Sequence, residues 1–478
     1  MKTKINKTRL TVLAAALICI LIQGCMLGPD YTRPQTPATS AESFVNSPAD
    51  ANELAEVTDW WRHFADPVTA EMVQTALKNN YDLKAAAARV QESVAILADV
   101  HGRRLPDVSY SGSKLRSQSS FNLPGGRVNF ISQTYSQDLS ISYITDIFGK
   151  LRRSDLAAAA DLTATMDDRI AITHSIVAQV VRARVRIATQ QSLLAIANAN
   201  IKSRVETLRI VERRYERGLT APLDVHLAKE NLASAKAIAP RIRQSAILTS
   251  HSLDVLLGRR PATSKQLNFE LKDLPPNPAP PAVIPAWLLD RRPDVHAAEM
   301  RLQAATNRVG VSIAAMYPDL TFTASGGYSS DTSSMMFNDD VQVYSAIFAL
   351  AAPIWKGGQL RAQVKAAKAR AEQAAHNYAQ TVLIAMREVE DALVKQNLLA
   401  ERINELKVAV DEAYKAENLA RTRYSRGVEK LILLLETERR RRNVENELAL
   451  ATGERFEAGI DLFLALGGDW DVELEEQN

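Results

Sequence analysis

Cys25 stands in "LIQGCMLGPDYTRP", between an apolar run and a stretch rich in glycine and proline. A lone thiol in that setting can be a structural group, a ligand, or the first residue of a processed protein. The flanks favour the third. Lys2, Lys4, Lys7 and Arg9 precede an apolar core at residues 10 to 22, and small Gly24 sits just before the cysteine, which is the layout of a secretory signal with a cleavage site. The core is about 13 residues, short of the roughly 20 that a membrane-spanning helix needs. Cys19, the other cysteine, falls within the removed segment, so the mature chain would hold one thiol, with no internal disulfide and no thiolate metal cluster. The seven histidines lack metal-ligand spacing, and the methionines offer no cluster beyond Met335 and Met336 in an expected external loop. No phosphate loop, nucleophile elbow or pair of catalytic carboxylates occurs. No cofactor and no enzymatic activity are therefore expected, and energy must come from a partner.

Removal of the signal changes the charge. Basic residues fall from 58 to 54 against 55 acids, so a formal +3 becomes −1 and no net field recommends a nucleic-acid partner. The arginine run at residues 439 to 442 reads as one solvated, Glu-flanked helix turn rather than a phosphate-binding stripe. After Cys25 no run of 18 apolar residues appears, so any downstream membrane crossing must be made of strands.

The elements that position these groups occur twice. "DLKAAAARVQ" from Asp82 matches "DVHAAEMRLQ" from Asp294, and "LPDVSYSGS" from Leu105 matches "YPDLTFTAS" from Tyr317, both at an offset of 212. "YERG" at Tyr215 matches "YSRG" at Tyr424, and "LLG" ending at Gly258 matches "ALG" ending at Gly467, both at an offset of 209. Constant offsets on either side of one length change define tandem copies at about residues 70–260 and 286–470. The proline-rich "LKDLPPNPAPPAVIP" links them within residues 261–285. A signal (1–24), an N-terminal segment (25–69) and a tail (471–478) complete the chain. Trp60 and Trp61 read as packing groups of the N-terminal segment.

Each copy predicts a helix, two strands, a long helix, a turn and a returning helix. The first helices cover 70–103 and 286–316, each a single run of helical apolar spacing. "DLTFTASGGY" alternates Leu320, Phe322, Ala324, Gly326 and Tyr328 against Thr321, Thr323 and Ser325, a strand with one apolar and one hydroxyl face. Strands are placed at about 106–147 and 318–355, and helical hairpins at about 151–258 and 359–467. No proline or glycine interrupts residues 151–214 or 359–423, which span about 95–98 Å at 1.5 Å per residue. Gly218 and Gly427 allow the chain to reverse, and Pro222 suits the first turn of a returning helix. Four strands leave open sheet edges that lipid does not tolerate, so several chains must close the sheet together.

These motifs carry a resemblance. "GCMLGPDYTRP", "WWRHFADP" from Trp60, "LKNNYDLKAAAARV", "LLDRRPDVHAAEMRLQAA" from Leu288, the two Tyr-x-Arg-Gly turns and "LALGGDW" occur in an order similar to that of the TolC superfamily of outer-membrane efflux proteins, in its lipoprotein branch, the NodT family. The resemblance implies a mainly α protein with a transmembrane β-barrel, in which a homotrimer closes twelve antiparallel strands continuous with a twelve-helix periplasmic barrel. It further implies a passive exit duct for small molecules, docked onto a periplasmic adaptor (a membrane fusion protein) and an inner-membrane pump. The rival reading is a structural periplasmic coiled-coil lipoprotein or an adaptor without a pore; the twice-occurring strand pair argues against it.

The same resemblance assigns roles. Cys25 corresponds to the acylated cysteine of a lipoprotein, with Ile22, Gln23 and Gly24 as its lipobox, anchoring the chain in outer-membrane lipid. Gly218 and Gly427 become tips that meet the adaptor, with Leu219 and Val428 as neighbouring contacts. Aligning Tyr424 and Gly427 puts Ile432 and Glu436 at an apolar and an acidic constriction ring, with Leu433 between them where some relatives carry an aspartate. The alternative is that "LILLL" is ordinary helix-packing surface. Asp224 of the first copy would pair with a base of the neighbouring hairpin to hold a closed state.

Overall fold

The computed structural model describes residues 26–34, 44, 67–124, 126–263, 270–274, 291–335 and 338–467. Cys25, Trp60, Trp61, most of the proline-rich linker and the tail lie outside these residues. The elements are α1 (Pro67–Asn79), α2 (Tyr81–Gly102), β1 (Asp107–Leu123), β2 (Gly126–Thr145), α3 (Lys150–Glu216), α4 (Pro222–Leu256), α5 (Pro293–Ala314), β3 (Asp319–Ser330), β4 (Gln342–Ala351), α6 (Gln359–Ser425) and α7 (Leu431–Ala465). They divide into two compact units. One comprises Met1–Pro34, Arg89–Met166 and Ala297–Tyr378, the other Gln35–Ala88, Asp167–His296 and Ala379–Asn478.

The first unit holds a four-stranded antiparallel sheet in the order β1-β2-β3-β4. Strand periodicity sorts its side chains by face. One face carries Val108, Tyr110, Leu139, Ile141, Phe348 and Leu350, all exposed, with Phe348 76% accessible. The opposite face of β1 to β3 is lined by hydroxyls that join across the strands: Ser109 to Ser140 and Ser113 to Ser136 at 2.8 Å, and Ser142 to Thr323 at 3.5 Å. A sheet with an exposed apolar face backed by a hydroxyl face is the inverse of what water selects, and it suits strands with one side in lipid. Both outer strands, β1 and β4, end the sheet with unpaired edges.

The second unit is helical. Its core draws Ile176, Val180, Val181 and Val185 of α3, Leu253 of α4, and Ile460 and Phe463 of α7 into one cluster with Val73 of α1. Arg292, just before α5, is buried and ties three elements together. Its Nη1 donates to the Ala465 carbonyl at the end of α7 (3.1 Å), its Nη2 to Glu388 of α6 (2.7 Å), and its Nε to Asp294 (3.0 Å). The Arg-Pro-Asp of the second repeat thus satisfies a helix terminus that would otherwise expose an unpaired carbonyl.

Two expectations need correction. The helix expected unbroken over 70–103 is two helices, because the Asn80 side chain accepts from Asp82 N–H (2.8 Å) and Leu83 N–H (3.2 Å) and so starts a new helix. Its amide also donates to the Leu256 carbonyl (2.9 Å), so the break is held from outside the helix. The returning helices are 35 residues each, shorter than the 39 from turn glycine to closing glycine, because turns occupy both ends. The long helices are 67 residues each.

Candidate functional site

The two turns of the second unit are built alike. α3 ends in a left-handed Gly218 (φ 69°), whose N–H donates to the Tyr215 carbonyl (2.9 Å) while Leu219 N–H donates to Arg214 (2.9 Å). α6 ends in Gly427 (φ 79°), whose N–H donates to Tyr424 (2.9 Å) while Val428 N–H donates to Arg423 (3.0 Å). This pair of hydrogen bonds is the Schellman stop, which uses orphan carbonyls in a sharp reversal and needs a residue without a Cβ penalty at the left-handed position just past the helix. The reversal leaves Leu219 and Val428 61% and 64% exposed. The turns are fastened to each other, since Arg214 Nη1 donates to the Tyr424 carbonyl (3.1 Å) and the guanidinium lies 5.1 Å from the Tyr424 ring. Burial raises the Tyr424 phenol above its ordinary pKa, so it stays neutral.

"LILLL" divides between two faces of its helix. Leu431, Leu434 and Leu435 are buried with Val211, Ala228, Ala420 and Tyr424 in the core beneath the turns. Ile432 and Leu433 are 61% and 42% exposed on the other side of the same helix. Spacing of i, i+3 and i+4 fixes this split, because those three leucines share one face at 3.6 residues per turn. Glu436, one turn beyond Ile432, is not a bare anion. Its carboxylate accepts from Arg440 Nε (2.7 Å) and from Arg439 Nη2 and Nε (2.8 and 2.9 Å). Arg440 and Arg439 hold its pKa below the ordinary value. Its ion pairs therefore persist through mild acid and are lost only as pH falls through that lowered value. Asp224 accepts a hydrogen bond from the Thr220 hydroxyl at the start of α4, and within the chain no base pairs with it among the described residues.

The arginine run departs from the solvated turn expected of it. Arg439 and Arg440 are exposed, but Arg441 and Arg442 retain only 18% and 9% side-chain exposure. Four consecutive residues sample every side of a helix, so a packed helix cannot solvate all of them. Beside them lies a buried network that the sequence did not disclose. Glu438, 1% exposed, accepts from the Thr207 hydroxyl (2.7 Å) and Arg421 Nη2 (3.2 Å), and its Oε2 lies 3.8 Å from Arg204. Glu417, 2% exposed, takes Arg421 (2.8 Å) and Arg441 (3.3 Å). Burial pulls the Arg204 guanidinium below its ordinary pKa, with Glu438 opposing that shift. The only sequence signal was a glutamate on the leucine-bearing face, three residues past Leu435. Among the described residues no group of His, Cys, Asp and Glu could hold a metal ion.

Residues 26–34 follow a fixed path in the first unit. Leu27 N–H donates to the Phe148 carbonyl (3.3 Å), where β2 leads into α3. Asp30 takes buried Arg153 Nη2 (2.7 Å), Tyr31 donates to Glu299 (2.9 Å), and Arg33 Nε donates to Tyr378 (3.1 Å). Cys25, next to this strap, lies outside the described residues.

A sheet with an exposed apolar face, two helical hairpins with paired Schellman turns and a tandem repeat define a membrane-strand protein of the efflux-duct class. The outer membrane efflux protein model matches residues 72–259 and 285–468. The chain belongs to that family and is an outer-membrane efflux channel. The toluene efflux pump outer membrane protein TtgF of Pseudomonas putida is 27% identical over 465 residues, covering 95% of this chain and 96% of that one. Nodulation protein T of Rhizobium leguminosarum bv. trifolii is 29% identical over 470 residues, covering 97% and 98%. The solved outer-membrane channel OprN superposes with a TM-score of 0.86 at 30% identity, covering 93% of this chain and all of that one.

Proposed function

We propose that three copies of this chain close one twelve-stranded barrel and form the passive exit duct of a tripartite efflux system. An inner-membrane pump would drive it and a periplasmic adaptor would meet the turns at Gly218 and Gly427. The carrying observation is the sheet, four strands with a lipid-suited face and two unpaired edges, which only further strands can satisfy in a membrane. Small molecules are the cargo class, as the names of relatives such as the toluene pump component support. Narrowing falls to outward-facing Ile432, with Leu433 beside it, and to Glu436 as an acidic ring already braced by its own arginines. Asp224, engaged by Thr220 in the chain, is available to a base of a neighbouring copy.

A photo-cross-linker at Leu219 is expected to capture an adaptor in cells, and capture of nothing but other copies of this chain counts against the docking role. Leu219 suits this because it is exposed and makes none of the side-chain hydrogen bonds that shape the turn. Cys25 is assigned as the lipid attachment point, supported by the strap that begins one residue later at the end of β2. Labelled fatty acid should enter the wild type and be absent from C25A; equal labelling of both rules out acylation there.

A further inference from the structure

The β1–β2 ribbon outruns its neighbours. β2 pairs with β3 only up to Tyr135 opposite Ser330, while β1 and β2 stay paired from Leu115 opposite Thr134 to Leu123 opposite Gly126, about 30 Å farther. This end is the one remote from the helices, because β1 and β2 meet α2 and α3 at Asp107 and Thr145. From Val108 to Gln137 the ribbon has no acid and three bases, Lys114, Arg116 and Arg127. All three lie on one face. Lys114 is opposite Tyr135, Arg116 opposite Gln133 and Arg127 opposite Asn122, in the register that continues Val108 with Ile141 and Tyr110 with Leu139. The apolar outer face of the sheet thus turns cationic where β3 ends, and Lys114 Nζ lies 5.1 Å from the Tyr135 ring centre. An aromatic at the rim of an apolar band marks the level at which lipid headgroups begin. Arg116 and Arg127 have no carboxylate partner among the described residues, although the β3–β4 loop carries Asp331, Asp339 and Asp340.

We infer that Lys114 and Arg116 bind the phosphate groups of a phosphorylated lipid headgroup in the outer leaflet. The charge is unneutralised, shares the face that contacts lipid, and begins at headgroup level. Both the hydroxyl face and the opposite hairpin lack it. The inference rests on the barrel reading above.

The test uses full-length protein in phosphatidylcholine vesicles containing a small fraction of bisphosphorylated lipid A, with lipid retained on the detergent-extracted trimer measured by native mass spectrometry. Retention should fall roughly fivefold for each cation removed in K114Q and R116Q, and should fall in the wild type as salt is raised. It should be unchanged in D339N/D340N, and inorganic phosphate should not displace the lipid. Four results overturn the inference: equal retention by K114Q/R116Q; a matching change in D339N/D340N, which would assign the bases to the acidic loop of a neighbouring copy; full competition by inorganic phosphate; and equal wild-type retention of dephosphorylated lipid A. The last two comparisons need no variant, so a folding defect does not obscure the answer. Failure of the barrel reading is separate, since wild type would then neither insert nor migrate as a heat-modifiable trimer.

Discussion

Gly327→Ala is expected to prevent assembly of the heat-modifiable trimer, whereas Gly326→Ala assembles normally. The two glycines are adjacent in β3 and chemically identical, so the difference lies in what surrounds them. A Cβ built at Gly327 overlaps the carbonyl oxygen of Gln137 and comes within 2.8 Å of the Asp138 Cα, both backbone atoms of the paired strand. Backbone cannot swing aside as a side-chain tip can, so β2 and β3 must part there. Parting costs several ladder hydrogen bonds, and in lipid each unsatisfied group costs several kcal/mol. The seam is critical because β2 belongs to the first repeat and β3 to the second, and β2–β3 pairing is what unites the two hairpins in one sheet. A Cβ at Gly326 meets nothing within 4 Å. Electrophoresis of outer-membrane extracts with and without heating checks both variants, and trimer formation by G327A would show that the strands are not held this closely.

Glu438→Ala is expected to destabilise the second unit by about 3–5 kcal/mol, the cost of breaking a buried ion pair from one side. The carboxylate is 1% exposed and partners Thr207 of α3 and Arg421 of α6 from its place on α7. Without it, buried Arg204 loses its counter-charge, and Arg421, 30% exposed, keeps only Glu417, which it shares with Arg441. Glu438→Gln keeps an acceptor for the Thr207 hydroxyl and should lose less. Thermal melts by far-UV circular dichroism in detergent measure both. A melting curve for E438A that overlays the wild type would mean the network carries no net stability.

The sequence disclosed what periodicity controls. Constant offsets exposed the repeat, and the alternation from Leu320 to Tyr328 gave the two faces of β3, because a strand side chain returns to the same face every second residue. Long runs without proline or glycine gave α3 and α6. Features set by partners distant in the chain stayed hidden. Asn80 looks like one more residue of an alanine-rich helix until the Leu256 carbonyl takes its amide. Arg441 looks solvated until the fold seats it beside Glu417 of α6. The leucine run at residues 431 to 435 could be read either way for the same reason. Its buried members answer to Val211 and Ala420, while Ile432 and Leu433 stay exposed on the other side of the helix.

That outward pair bears the central claim, a pore narrowed near its turns by residues that one chain alone leaves exposed. Single-channel recording in planar bilayers of the wild type beside I432A/E436A tests it most directly. The double variant should conduct more, and because Arg439 and Arg440 already neutralise Glu436, I432A alone should give most of the increase. Conductance equal to wild type in the double variant would contradict a constriction at these residues.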